Sequence, residues 1–104
     1  VNWLLEKVGW TPMPTERGSE QSSHAGGALT HGGSMATLTA LMCARSHLVG
    51  DVWKNGVPND LVVLSPDTSH YAVGRAVGIM GLGHKAIYSI ETDSAGVIKP
   101  DRLP

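Results

Sequence analysis

The sequence contains no phenylalanine, and aromatic residues make up only 5% of its 104 positions. A chain of this length buries only about two-thirds of its unfolded surface, so it forms at most one domain with a modest, largely aliphatic core. There is one cysteine, Cys43, which excludes a disulfide framework. It falls within the helical pattern of Leu38, Leu41 and Met42, where a small apolar packing role is expected. Charge of one sign is also lacking: 8 basic and 9 acidic residues leave a net charge of −1. That balance excludes a nucleic-acid footprint or a polybasic membrane-binding surface. No apolar run approaches the roughly 20 residues that span a bilayer, and no basic region leads into an apolar stretch and cleavage site. The expectation is a soluble, cytoplasmic chain whose partner is a small molecule or a protein, with neither nucleic acid nor membrane involved. The 5 histidines show no HxxxH or Cys/His spacing, so no metal signature is present, and GxGxxG and a P-loop lysine are missing too.

Glycine, by contrast, is abundant, with 13 residues, a balance that suits a cofactor-binding α/β segment better than a self-sufficient miniature core. The chain opens at Val1 without a methionine and closes at Pro104 just as Lys99-Pro100-Asp101-Arg102-Leu103 resembles a helix start. It is expected to be an excerpt of a longer protein.

Trp3, Leu4, Leu5 and Val8 share one face at helical spacing, which predicts a helix end over residues 1–8, stopped by Gly9 and the prolines at 12 and 14. Residues 11–27 read as loop, with Thr15, Glu16, Arg17 and Glu20 solvated. Residues 28–30 are predicted as a short strand and 34–48 as a helix ended by Gly50. After a polar connection over 51–60, Leu61-Val62-Val63-Leu64 is an apolar run of strand length, expected to be buried on both faces of a parallel sheet. Asp67, Thr68 and Ser69 offer N-caps for a second helix over 70–80, ended by Gly81 and Gly83. Residues 86–90 complete a third strand, followed by a turn through Asp93 to Gly96. The reading is therefore 1–27 as helix end and loop and 28–104 as a βαβαβ segment, with right-handed crossovers. Ligands bind at the carboxyl ends of such strands.

The most informative stretch is Leu29-Thr30-His31-Gly32-Gly33-Ser34-Met35-Ala36-Thr37-Leu38. The first amides of a helix have no intrahelical acceptor and lie at the positive end of its dipole, so a glycine turn leading into a serine-headed helix is an anion site. The alternative on these residues is a plain capped helix in which Ser34 is the N-cap. A second segment, Ser69-His70-Tyr71 with Arg75-Ala76, follows the next predicted strand. By spacing alone, His70 reads as a surface histidine in a first helical turn. His24 and His47 read as solvated, and Arg75 as structural.

Together the two segments, with Ala40, Leu41 and Ala44-Arg45, resemble the group II pyridoxal-phosphate-dependent amino acid decarboxylases. The resemblance runs from Trp3 to Leu103 and implies a piece of the large domain of the aspartate-aminotransferase-like fold (fold type I). By that resemblance Gly33 and Ser34 bind the phosphate of pyridoxal 5′-phosphate, and His70 is the catalytic histidine that lies against the pyridine ring. His31 is expected only to lie nearby. The implied parent is a carboxy-lyase of amino acid metabolism, acting as a homodimer on an L-amino acid and releasing carbon dioxide to leave the amine.

Such an enzyme needs a lysine for its Schiff base and an acidic partner for the pyridine nitrogen, and neither is expected within these residues. His84-Lys85 imitates the family's His-Lys pair but precedes the strand at 86–90, the wrong place in the fold. Lys7, Lys54 and Lys99 read as solvated in a helix, a polar loop and a turn, and Asp93 belongs to a turn. The chain alone is expected to be inactive. The other readings are a desulfurase or aminotransferase of fold type I, or a non-catalytic phosphate-binding α/β fragment.

Overall fold

Helical periodicity and strand pairing shape two compact units, Val1–Thr30 and His31–Pro104, in a computed structural model that describes residues 1–13 and 24–104. The expected solvation of Thr15, Glu16, Arg17 and Glu20 concerns positions outside the described residues. In the first unit, α1 (Asn2–Lys7) buries only Leu5. The Gly9 amide returns to Glu6 O and the Trp10 amide to Leu5 O, closing the helix, and Pro12 bridges Ala25. Residues 28–30 carry no strand, which corrects the βαβαβ reading at its first element. Leu29 is 78% exposed, and a three-residue segment that joins no sheet gains little by extending.

The second unit runs α2 (Gly32–Val49), the short α3 (Val52–Asn55), β1 (Val63–Pro66), α4 (Ala72–Ile79) and β2 (Ile87–Ile90), with single 3₁₀ turns at His84–Ala86 and Pro100–Arg102. The strands pair in parallel, in register from Val63 opposite Ile87 to Pro66 opposite Ile90, as continuous apolar runs joined through a helix require. The first strand nevertheless begins two residues later than the apolar run. Residues 85 and 86, which would pair with 61 and 62, are wound into the 3₁₀ turn and have no ladder to offer. Pro66 is tolerated because it closes the strand, where no amide is needed.

The core lies where α2 and α4 pack together. From α4 it takes Ala72, Ala76 and Val77, joined by Met80 just beyond the helix, by Val52 from α3 and by Ile90 from β2. Small residues at 72 and 76 let the helices approach closely. Val77 is fully buried, a burial that contributes about 1.5–3 kcal/mol. On α2 the stripe facing inward is Leu38, Leu41 and Met42, all half-buried, and then Arg45, which is buried. Arg45 Nη1 donates to Met80 O at 3.4 Å, placing a cation at the C-terminal end of α4, where the helix dipole favours one. Its Nε has no partner among the described residues. Cys43, expected in the core, is exposed because it lies off that stripe. Lys54 sits in α3 rather than in a loop.

Candidate functional site

The first candidate segment opens α2. The helix starts at Gly32, two residues before the expected Ser34, with His31 at the N-cap and no side-chain cap bond. Ser34 is therefore not the cap: Gly33 and Ser34 are the second and third helical residues, whose amides have no acceptor a turn earlier. Gly32 takes φ +79, a left-handed conformation that costs an L side chain about 1–2 kcal/mol, and it turns the chain into the helix. A Cβ at Gly32 or Gly33 would meet nothing within 4 Å, so this backbone faces open space. Ser34 is exposed, and its hydroxyl has no hydrogen-bond partner among the described residues. The neighbouring Thr37 Oγ1 donates back to Gly33 O at 3.0 Å, satisfying a carbonyl and not the Gly33 or Ser34 amide.

The second segment lies between β1 and α4. The expected caps Asp67, Thr68 and Ser69 do not cap the helix: the chain turns there, the Ser69 amide donating to Pro66 O at 3.0 Å. The helix starts at Ala72 instead of 70, and it is His70 that receives its first amide: Ala72 N–H donates to His70 Nδ1 at 3.1 Å. A ring nitrogen that accepts carries no hydrogen, so the imidazole is the tautomer with its hydrogen on Nε2. Its ring lies 4.1 Å from that of Tyr71 at 35°, and the Arg75 guanidinium stands 4.5 Å from the Tyr71 ring centroid. Arg75 and His70 are both exposed.

Charge gathers beyond the carboxyl ends of the two strands. Asp67 Oδ1 accepts from Thr92 Oγ1 at 2.7 Å, and that bond, chiefly, holds the Asp67 carboxyl below its ordinary range. Glu91 is lowered first by its hydrogen bond from Lys99, and Lys99 is raised by the same bond. Lys99 is thus ion-paired rather than free in its turn, and Arg102 Nε adds a second contact to Glu91 at 3.6 Å. Asp93 is the turn residue it was expected to be, accepting the amides of Ala95 and Val97.

Gly33 and Ser34 open α2 and His70 lies in the turn that leads into α4; all three belong to one compact unit, in which α2 and α4 pack together. Two clefts of about 210 and 200 Å³ lie elsewhere and include none of them. The larger is lined by Leu61, Val62, Lys85 and Ala86 among others, at the amino edge of the parallel sheet. His70 follows β1 and so lies at the carboxyl edge. Lys85 is therefore at the opposite end of the sheet from His70. Sequence reasoning missed Thr92, read Asp67 as a helix cap rather than as the partner of Thr92, and gave Arg45 no buried role. Arg45 had one signal, its place on the stripe of Leu38, Leu41 and Met42.

Comparison with known proteins decides the lineage. Over 93 residues the chain is 36% identical to an aromatic-L-amino-acid decarboxylase of Bacillus atrophaeus, covering 89% of this chain and 16% of that protein. This sequence belongs to the group II amino acid decarboxylase family. Tyrosine decarboxylase of Papaver somniferum is 30% identical over 91% of the chain, and L-2,4-diaminobutyrate decarboxylase of Acinetobacter baumannii 23% over 99%. No family model matches the chain. Among solved structures, mouse CSAD superposes with a TM-score of 0.65 at 24% identity, covering 69% of this chain and 16% of that one. The glutamate decarboxylase domain of a diaminobutyrate-pyruvate transaminase and L-2,4-diaminobutyrate decarboxylase from Vibrio parahaemolyticus gives 0.62 at 29%, covering 68% and 17%. The parallel strands and flanking helices are thus part of a fold type I large domain. The group II segment described here spans about a sixth of the length of the curated relatives it matches.

Proposed function

We propose that this chain is the cofactor-phosphate and ring-stacking segment of a pyridoxal-phosphate-dependent amino acid decarboxylase, a carboxy-lyase acting on an L-amino acid. The observation that carries the reading is the start of α2, where Gly33 and Ser34 offer two backbone N–H groups and an unpartnered hydroxyl beside a backbone at which a Cβ would meet no atom. That donor set fits a phosphate dianion. An exposed imidazole with one nitrogen already engaged fits a flat group laid against a pyridine ring. When bound, pyridoxal phosphate supplies the electron sink that makes loss of a carboxylate accessible.

The residues of this chain then do three things. Gly33 and Ser34 hold the phosphate by charge-assisted hydrogen bonds. His70 presents its ring face to the cofactor, with the Ala72 amide fixing its tautomer. Its Nε2–H is the hydrogen available toward a substrate carboxylate as carbon dioxide leaves. The lysine that would anchor the cofactor covalently is not among Lys7, Lys54, Lys85 and Lys99, and the parent works as a homodimer.

The test uses the full-length protein carrying these residues. Ser34→Ala removes one charge-assisted hydrogen bond, about 1.5–3 kcal/mol, and should weaken pyridoxal phosphate binding about ten- to a hundredfold by fluorescence titration. Carbon dioxide release from a panel of L-amino acids checks the reaction. Unchanged affinity in Ser34→Ala, or a borohydride-stable cofactor adduct mapped to Lys85, overturns the assignment.

A further inference from the structure

The loop that carries His70 is strapped to the chain leaving the neighbouring strand. Asp67 N–H donates to Ile90 O at 2.9 Å, while Asp67 Oδ1 accepts from Thr92 Oγ1 at 2.7 Å. One residue is thus held by backbone and side chain to a short stretch just beyond β2. That stretch is itself braced: Thr92 bridges Ile98 across the turn, Asp93 Oδ1 gathers the amides of Ala95 and Val97, and Lys99 N–H donates to Glu91 O at 3.1 Å. From Asp67 the chain reaches His70 through the turn closed by Ser69 N–H on Pro66 O. Beyond it, the Val73 amide donates to His70 O and the Ala72 amide to His70 Nδ1. His70 is exposed, so burial does not fix it. Hydrogen bonds before and after it decide where the ring sits, and misplacement of a functional group by about 1 Å costs on the order of a hundredfold in rate.

We propose that Thr92 is a positioning residue which, through Asp67, sets the place of the His70 imidazole. The proposal deepens the cofactor reading given above and rests on it for its functional meaning. Its geometry is local, so it can be tested with no ligand present.

The experiment compares Thr92→Val, Thr92→Ala and Thr92→Ser in the full-length protein, with specific labels at His70 and Ala72. Losing one net hydrogen bond should speed hydrogen exchange of the Ala72 amide about two- to tenfold and move the His70 ring nitrogens toward tautomer-averaged shifts. Thr92→Ser, which keeps the hydroxyl, should restore both signals. Thr92→Ala guards against a failure of the valine variant to fold. Pyridoxal phosphate, titrated as probe, should bind Thr92→Val and Thr92→Ala more weakly and Thr92→Ser normally. Unchanged exchange and ring shifts in both hydroxyl-less variants overturn the proposal, as does failure of Thr92→Ser to restore them. If those signals move while His70→Ala leaves pyridoxal phosphate affinity untouched, positioning stands and it is the stacking assignment of His70 that fails.

Discussion

The hydroxyl of Thr92 on Asp67 at 2.7 Å favours the ionised carboxylate and so ties this loop to pH. The native Asp67 carboxyl titrates below its ordinary value, chiefly because of that bond, so the unfolded chain binds its proton more readily. Its contribution to stability is therefore present above about pH 4 and is lost as pH falls through the lower native value. Lys99 is the opposite case: raised by Glu91, it stabilises in full below its ordinary range and ceases to do so as pH rises through its raised native value. Thr92→Val is expected to bring the Asp67 titration back up toward the ordinary range while leaving that of Lys99 unmoved, as read by carboxyl and amine side-chain NMR. At this scale the sequence carried part of the site. Gly33, Ser34 and His70 could be proposed from the sequence because a glycine turn and an ordered second motif have short-range signatures. Thr92 and Arg45 were not, since a threonine 25 residues from its aspartate, or an arginine 35 residues from a carbonyl, gains its meaning only when the chain folds back.

At the scale of elements, the long helix was legible from Leu38, Leu41 and Met42, and the parallel pairing from two apolar runs separated by a helix. The predicted strand over 28–30 failed because a strand exists only with a partner, and nothing in three residues announces whether one will arrive. The shift of β1 to Val63–Pro66 has the same origin, since its start is set by where β2 begins. Helix starts moved for a different reason. Gly32, able to take φ +79, admits the chain to α2 earlier than Ser34 would, while the turn at Ser69 delays α4 until Ala72. Two glycines give a matched prediction. Gly32→Ala should destabilise the protein by about 1–2 kcal/mol, whereas Gly78→Ala, within α4 and with open space at its Cβ, should stabilise it by about 0.5–1 kcal/mol. Chemical denaturation of both variants checks the opposite signs.

At the scale of the whole molecule, no helix among the described residues is long and apolar enough to cross a membrane. The absence of phenylalanine shows in the thinness of the interior. Val77 is the largest side chain fully buried among the described residues, while Trp3, Trp10 and Trp53 are 65%, 59% and 82% exposed. The chain shares its fold with a part of proteins several times longer, of which it covers 16–17%.

The two-stranded sheet carries one more consequence. Among the described residues β1 and β2 have only each other as neighbours, so each presents an outer row of backbone donors and acceptors, and the facing pair Leu64 and Tyr88 is half bare, at 49% and 45% exposure. Such rims invite strands from other molecules. The 104-residue chain, expressed by itself, should therefore aggregate in a concentration-dependent way, and Leu64→Lys should raise its solubility, as light scattering across a dilution series will register. Its shelf life in the tube is governed by the edges of its sheet.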